Sequence, residues 1–306
     1  MLGVLTGFGI IGVVILVGYA VQRWRIVPPT TGLVLNRVAF FVAMPALLFT
    51  VLARSHPSDI VAVPTIASMA ATLVAIALYV VASRLWFRQP LAETAVGAGA
   101  SSYVNANNIG LPVATYVLGN TQLLIPVLLL QLIVMAPALL AVLDTASRGS
   151  ASVRSILTQP LRNPIIIASA AGIVVAVTGI TLPDAVLAPF ELVGGAAVPM
   201  VLLAFGISLV GQRPLQPGTG RRAILVAGTI KVVIMPLVAY VVGRLLGLDP
   251  ADLFGVVALA ALPSAQNIYN YAARYERGVV LARDTVLLTT LAAVPVLVLI
   301  AALLAP

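Results

Sequence analysis

The sequence predicts an all-α membrane protein: ten transmembrane helices arranged as two inverted five-helix repeats. Three observations predict it. The chain of 306 residues is 61% hydrophobic and only 8% charged, against roughly 25% charged residues in an ordinary soluble domain. The apolar residues gather into ten stretches, each near the ~20 residues a helix needs to cross a bilayer core. The basic residues gather between alternate stretches, on one predicted side.

The same composition excludes several classes of function. A soluble chain of this length has no way to hide so much apolar surface in one core, which removes an ordinary soluble enzyme, a disordered chain and a nucleic-acid binder. There is no cysteine and one histidine, His56. Disulfides, iron–sulfur clusters, thiolate zinc sites and His-based metal sites therefore have no ligands. No HExxH or Walker A motif is present either. Neither a cofactor nor a metal is expected.

Taken in order, the stretches run over 3–21, 32–53, 61–83, 91–118, 122–143, 163–181, 189–210, 223–246, 252–273 and 285–305. The first lacks a basic leader region and ends in Arg23-Trp24-Arg25, so it reads as a first span with its N-terminus outside. The second holds Arg37 near its cytoplasmic start, where a long side chain can snorkel to the interface. The fourth and ninth are interrupted by amides and proline. The eighth contains Lys231, the only lysine. The loops after spans 1, 3, 5, 7 and 9 hold 13 of the 17 basic residues, and the opposite side holds Arg54 and Arg244. That split is a positive-inside signal: both termini extracytoplasmic, in the plasma (bacterial inner) membrane. It also accounts for the net charge of +8 by topology and contact with membrane lipid rather than by nucleic acid.

The two halves resemble each other. Pro45 answers to Pro199 and Pro137 to Pro295. In spans 4 and 9 a single offset of 159 pairs Asn108 with Asn267, Ile109 with Ile268 and Tyr116 with Tyr275. Five spans per half is an odd number, so the halves, 1–150 and 151–306, lie in opposite orientation. Inverted repeats are a transporter signature, with the binding site near the midplane.

Polar chemistry concentrates at two matching places. Span 4 carries Tyr103-Val104-Asn105-Ala106-Asn107-Asn108-Ile109-Gly110-Leu111-Pro112, and span 9 carries Pro263-Ser264-Ala265-Gln266-Asn267-Ile268-Tyr269-Asn270-Tyr271. Polar side chains inside a span are expensive and mark function, and irregular backbone at that depth is tolerated only against protein or a wet cavity. Gly110, Pro112 and Pro263 are the expected helix breakers. Asn105, Asn107, Asn108, Gln266, Asn267 and Asn270 are the expected substrate-binding amides, with Tyr103, Tyr269 and Tyr271 as walls; single amides among them serve equally as caps of half-helices. Gln131 and Thr289 are related by the Pro137/Pro295 offset and are candidates for the same cavity or for hydrogen bonds between helices. Lys231 either attracts an anion, or snorkels, or binds a carbonyl freed near Pro236. No acidic residue sits centrally in a span. Half-helix N-termini, amides and tyrosines without a carboxylate suit a small organic anion better than a cation.

These residues resemble a known family. Asn-Asn-Ile-Gly-Leu-Pro at 107–112 is similar to the signature of the auxin efflux carriers, which include plant exporters and bacterial permeases for small organic acids. Leu-Asn-Arg and Met-Pro-Ala-Leu-Leu-Phe within 35–49, Arg-Asn-Pro-Ile-Ile-Ile at 162–167 and Leu-Pro-Ser-Ala-Gln-Asn at 262–267 extend the likeness along the chain. The resemblance implies crossing, broken helices at Pro112 and Pro263. It implies a transport domain (spans 3–5 and 8–10) that slides like an elevator against a scaffold (spans 1, 2, 6 and 7), substrate contact through Asn108 and Asn267, and a homodimer. The residues leave two rivals open, a sodium-coupled symporter of the bile-acid carrier type and a receptor or sensor with a transporter fold. They offer nothing to a membrane enzyme.

Overall fold

The structure is a computed structural model that describes residues 2–54, 63–148, 163–211, 215 and 220–306; at 2–8, 107, 147–148 and 273–274 it describes the backbone alone. His56, Asp59, Arg154, Arg162 and Arg213 lie outside the described residues.

Among the described residues all regular structure is helical. The helices are α1 (Leu2–Arg23), α2 (Thr31–Ala53), α3 (Val63–Phe87), α4 (Leu91–Ser102), α5 (Leu111–Tyr116), α6 (Leu124–Ala146) and α7 (Pro164–Thr178). There follow α8 (Asp184–Ser208, with a turn at Ala196), α9 (Arg221–Leu245), α10 (Pro250–Ala260), α11 (Gln266–Tyr275) and α12 (Val279–Leu304). Each of the ten apolar stretches contains helix among its described residues, and the fourth and ninth are interrupted at 103–105 and 261–265. Six helices, α2, α3, α6, α8, α9 and α12, are long and apolar enough to cross a bilayer; α7, α10 and the 9–23 part of α1 are shorter apolar helices.

Proline shapes these helices in a way the sequence did not announce. Pro45, Pro112, Pro137 and Pro236 each stand two residues past a five-residue π-turn, at Ala39–Ala43, Ala106–Gly110, Gln131–Met135 and Ile230–Ile234. Just ahead of each proline an N–H reaches back five residues rather than four: Met44 to Ala39, Leu111 to Ala106, Ala136 to Gln131 and Met235 to Ile230. In a regular α-helix the proline ring would strike the carbonyl four residues back, and the wider turn moves that carbonyl aside.

Packing divides the helices into two groups. Helices α1, α2, α7 and α8 pack on one another, as do α3, α4, α6 and α9 through α12. In the first group glycine lets backbones meet, as expected where apolar burial gives little drive for helix association. A Cβ on Gly172 of α7 would stand 2.8 Å from Phe49 O and 2.9 Å from Leu52 Cβ of α2. One on Gly194 of α8 would stand 2.9 Å from Leu47 Cα. Gly206 of α8 lies directly against the Ile15 carbonyl of α1. The two groups meet mainly where α1 touches α5 and where α8 touches the π-turn Ala106–Gly110.

Candidate functional site

The site is built from two interrupted helices. After α4 the chain runs extended through Tyr103–Asn105, and after α10 it runs extended through Pro263–Ala265. The two extended pieces pair as an isolated antiparallel bridge, Val104 with Ser264. Asn105 N–H donates to Pro263 O at 2.8 Å and Ala265 N–H donates to Tyr103 O at 2.9 Å. Each break thus supplies the backbone partners that the other lost by leaving helical geometry.

The carbonyls at the two helix ends are also satisfied. At the end of α4, Ser101 and Ser102 hydroxyls donate to Ala98 O at 2.9 and 2.7 Å, and Ser264 Oγ donates to Ala100 O. At the end of α10, Lys231 Nζ donates to Ala260 O at 2.6 Å and contacts Met235 Sδ at 3.3 Å. Ser264 N–H donates to Thr289 Oγ1 at 3.0 Å, and that hydroxyl donates to Thr285 O at 2.7 Å. On the far side of the first break, Asn105 Oδ1 accepts Asn108 N–H at 3.2 Å and caps the π-turn. The carbonyls named here are met within the protein, and the remaining polarity of the breaks is directed elsewhere.

It is directed into a cavity of about 710 Å³. Asn108, Gln266, Asn267 and Asn270 line it together. Asn108 Nδ2 lies 3.5 Å from Gln266 Oε1, a long contact that leaves both amides free to bind. Behind them, Tyr103, Asn105 and Gln131 line a pocket of about 20 Å³ with Asn108, Gln266 and Asn267, room for about one water. Tyr269 lines a third pocket of about 130 Å³ with Asn105, Gln266 and Arg283. Gln266 belongs to all three spaces. Asn107 lies on the π-turn, and its side chain is outside the described set.

Several expected placements need correction. The first break falls at 103–105, upstream of Pro112, which stands inside the helical continuation two residues past the π-turn. The π-turn absorbs the proline, so no interruption is needed there. Gly110 is not a breaker either: a Cβ on it would stand 2.9 Å from Leu262 Cδ1 and 3.0 Å from Leu124 Cδ1, so its role is close packing. Pro263 does stand in the second break. Lys231 lines none of the three spaces; it is fully buried and committed to the end of α10, where a cation opposes the negative end of the helix dipole. Thr289 is 1% exposed and serves as a hydrogen-bond link, not as cavity lining.

The sequence reading passed over four polar residues of the large cavity: Ser208, Gln22, Asn36 and Arg37. A signal for the last two existed. Leu33, Asn36, Arg37, Phe40, Phe41 and Met44 all line the cavity, and they follow the i, i+3, i+4, i+7 spacing of one helix face. Among the described residues no three His, Cys, Asp or Glu side chains gather as a metal site.

A family model described as "Membrane transport protein" matches residues 8–301. The chain is 28% identical over 269 residues to the "Putative malonate transporter" of Rhizobium meliloti, covering 85% of this chain and 83% of the relative. It is 28% identical over 261 residues to an uncharacterized transporter of Methanothermobacter thermautotrophicus, with 83% and 82% covered. It is 21% identical over 290 residues to an uncharacterized transporter of Methanocaldococcus jannaschii, with 92% of each chain covered. With nearly the whole chain matched, from α1 through both breaks to α12, this protein belongs to the membrane transport protein family of auxin efflux carrier-like transporters.

Proposed function

We propose that this transporter is a secondary carrier of small organic anions of the short dicarboxylate type, working by elevator-like alternating access. The observation that carries the reading is the cavity itself: four amides from two hydrogen-bonded helix breaks line one space, and among the described residues no carboxylate lines it. Helix α11 begins at Gln266, so its free N–H groups and positive dipole end add to the preference for an anion. The printed name of the Rhizobium relative, a malonate transporter, is of the same chemical class.

The ten helical stretches are then ten spans in two inverted five-helix repeats, 1–150 and 151–306, with both termini outside a bacterial plasma membrane. Helices α4 and α5 form the first crossing span, and α10 and α11 the second. The packing groups support a division of labour: α1, α2, α7 and α8 as scaffold, and the rest as the moving unit that carries the amides. Gln22, Pro29 and Val210 line the cavity too and lie next to the arginine-rich loops, which makes this the cytoplasm-facing state. Substrate binds the amides there, and sliding of the moving unit exposes them on the other side. No acidic residue among those lining the cavity is available as a sodium ligand or proton relay. The carrier accordingly runs on the anion gradient and membrane potential.

The test is transport by the purified protein in liposomes. Malonate, malate, succinate and indole-3-acetate are each supplied with and without sodium, and currents and labelled counterflow are recorded. Sodium-independent movement of a dicarboxylate is the expected result. Movement only with sodium, or none in either assay, overturns the reading.

A further inference from the structure

Among the described residues, Arg37 is the only charged side chain lining the 710 Å³ cavity. Among the described residues it has no ion-pair or hydrogen-bond partner. It stands six residues into α2, on the helix face that forms one cavity wall. Its side chain is exposed, and no carboxylate among the described residues lining the cavity stands as its partner. The space continues past Gln22, Pro29 and Val210 into a second open region of about 570 Å³ that Arg23 and Arg25 line. A cleft of one sign with apolar walls concentrates ions of the other sign.

We propose that Arg37 is a substrate-anchoring residue: it pairs with one carboxylate of the transported anion while the amides of Asn108, Gln266, Asn267 and Asn270 hold the other end. This rests on the anion-carrier reading and assigns the group that holds the second carboxylate. Two anchoring groups in one cavity favour a short dicarboxylate over a monocarboxylate, because a monocarboxylate that sits on the amides leaves the guanidinium without its bidentate partner. Arg37 belongs to the scaffold group of helices and the amides to the moving group. The salt bridge forms in this state and must break when the amides carry the anion away, so Arg37 governs capture and release on one side only.

The absence of cysteine allows a direct test of the field that Arg37 sets up. Ser208 lines the same cavity, and Ser208→Cys places a single thiol there. The thiol is reacted with an anionic (sulfonatoethyl) and a cationic (trimethylammonioethyl) methanethiosulfonate of similar size, each rate normalised to a free thiol. The ratio of the two rates cancels any change in the thiol's own ionisation. The expected result is a preference for the anionic reagent that falls about tenfold on adding Arg37→Gln and persists with Arg37→Lys. In the Ser208→Cys protein alone, raising the salt concentration should compress the same preference, a readout that needs no Arg37 variant to fold. An unchanged ratio in the Arg37→Gln protein, or no anionic preference at low salt, overturns the proposal.

Uptake separates this inference from the reading beneath it. Arg37→Gln should raise the KM for malonate at least tenfold and that for a monocarboxylate far less, with Arg37→Lys recovering part of the loss. A field at Ser208 in a protein that moves no carboxylate condemns the carrier reading and not the field. Dicarboxylate transport indifferent to Arg37 condemns the anchoring role alone.

Discussion

Thr289→Val probes what holds the second helix break together. Ser264 is fully buried, and its N–H has one acceptor, Thr289 Oγ1, at 3.0 Å. Valine keeps the shape of threonine and removes that oxygen. The N–H is then stranded where water does not reach, a loss of about 1–3 kcal/mol. At about 2 °C per kcal/mol for a chain of this size, the melting temperature in detergent should fall by roughly 2–6 °C. Thr289→Ser restores the oxygen and should recover most of the loss. The assay is thermal unfolding of wild type and both variants, followed by tryptophan fluorescence or by loss of the monodisperse chromatographic peak. Equal melting temperatures for wild type and the valine variant would refute the reasoning, because they would mean that water takes the bond and the break is wet on the α12 side.

Other outcomes follow from the same geometry. Asn108→Ala and Asn267→Ala should each reduce transport more than tenfold while shifting the melting temperature by less than about 2 °C, since both side chains face open cavity rather than core. Asn267→Asp should be worse than alanine for anion uptake, because it sets a like charge against the substrate. Lys231→Met removes a desolvated cation along with one carbonyl bond, and should hold or raise the melting temperature. Lys231→Ala leaves a void as well and should lower stability by about 2–5 kcal/mol, read in the same melt. Gly206→Ala drives a methyl into the α1 backbone at Ile15 and Tyr19, with an expected loss of about 1–3 kcal/mol in thermal unfolding.

What the sequence revealed and what it hid divide along physical lines. Helix positions were legible because apolar runs of bilayer length have few alternatives, and the amides of both breaks stood out because polar groups are rare in such runs. The place of the first break was misjudged at Pro112, since proline reads as a breaker whether the backbone ends the helix or widens one turn. Four prolines took the wider turn, while Pro295 stands inside α12 without one. Local sequence does not separate these outcomes, because neighbouring helices decide which carbonyls find donors. Lys231 shows the same limit. Its charge invited a ligand role, but the α10 end that claims it lies 29 residues away in the chain. The place of Arg37 on a cavity wall was hidden for a different reason. Its helix face is readable by periodicity, but whether that face meets lipid, protein or a cavity depends on which helices stand beside it.

The central joint between the two breaks is made of main-chain atoms: Asn105 N–H to Pro263 O and Ala265 N–H to Tyr103 O. A joint of that kind makes few demands on side-chain identity. Pro263 takes part only through its carbonyl, so the one residue without a donor sits where none is required. The neighbouring positions that face the cavity, Asn108, Gln266 and Asn267, lie outside the joint. Selection can therefore exchange them one at a time and retune the cargo without loosening the mechanical link. A chain built this way is free to change at the cavity-facing positions while the joint itself stays the same.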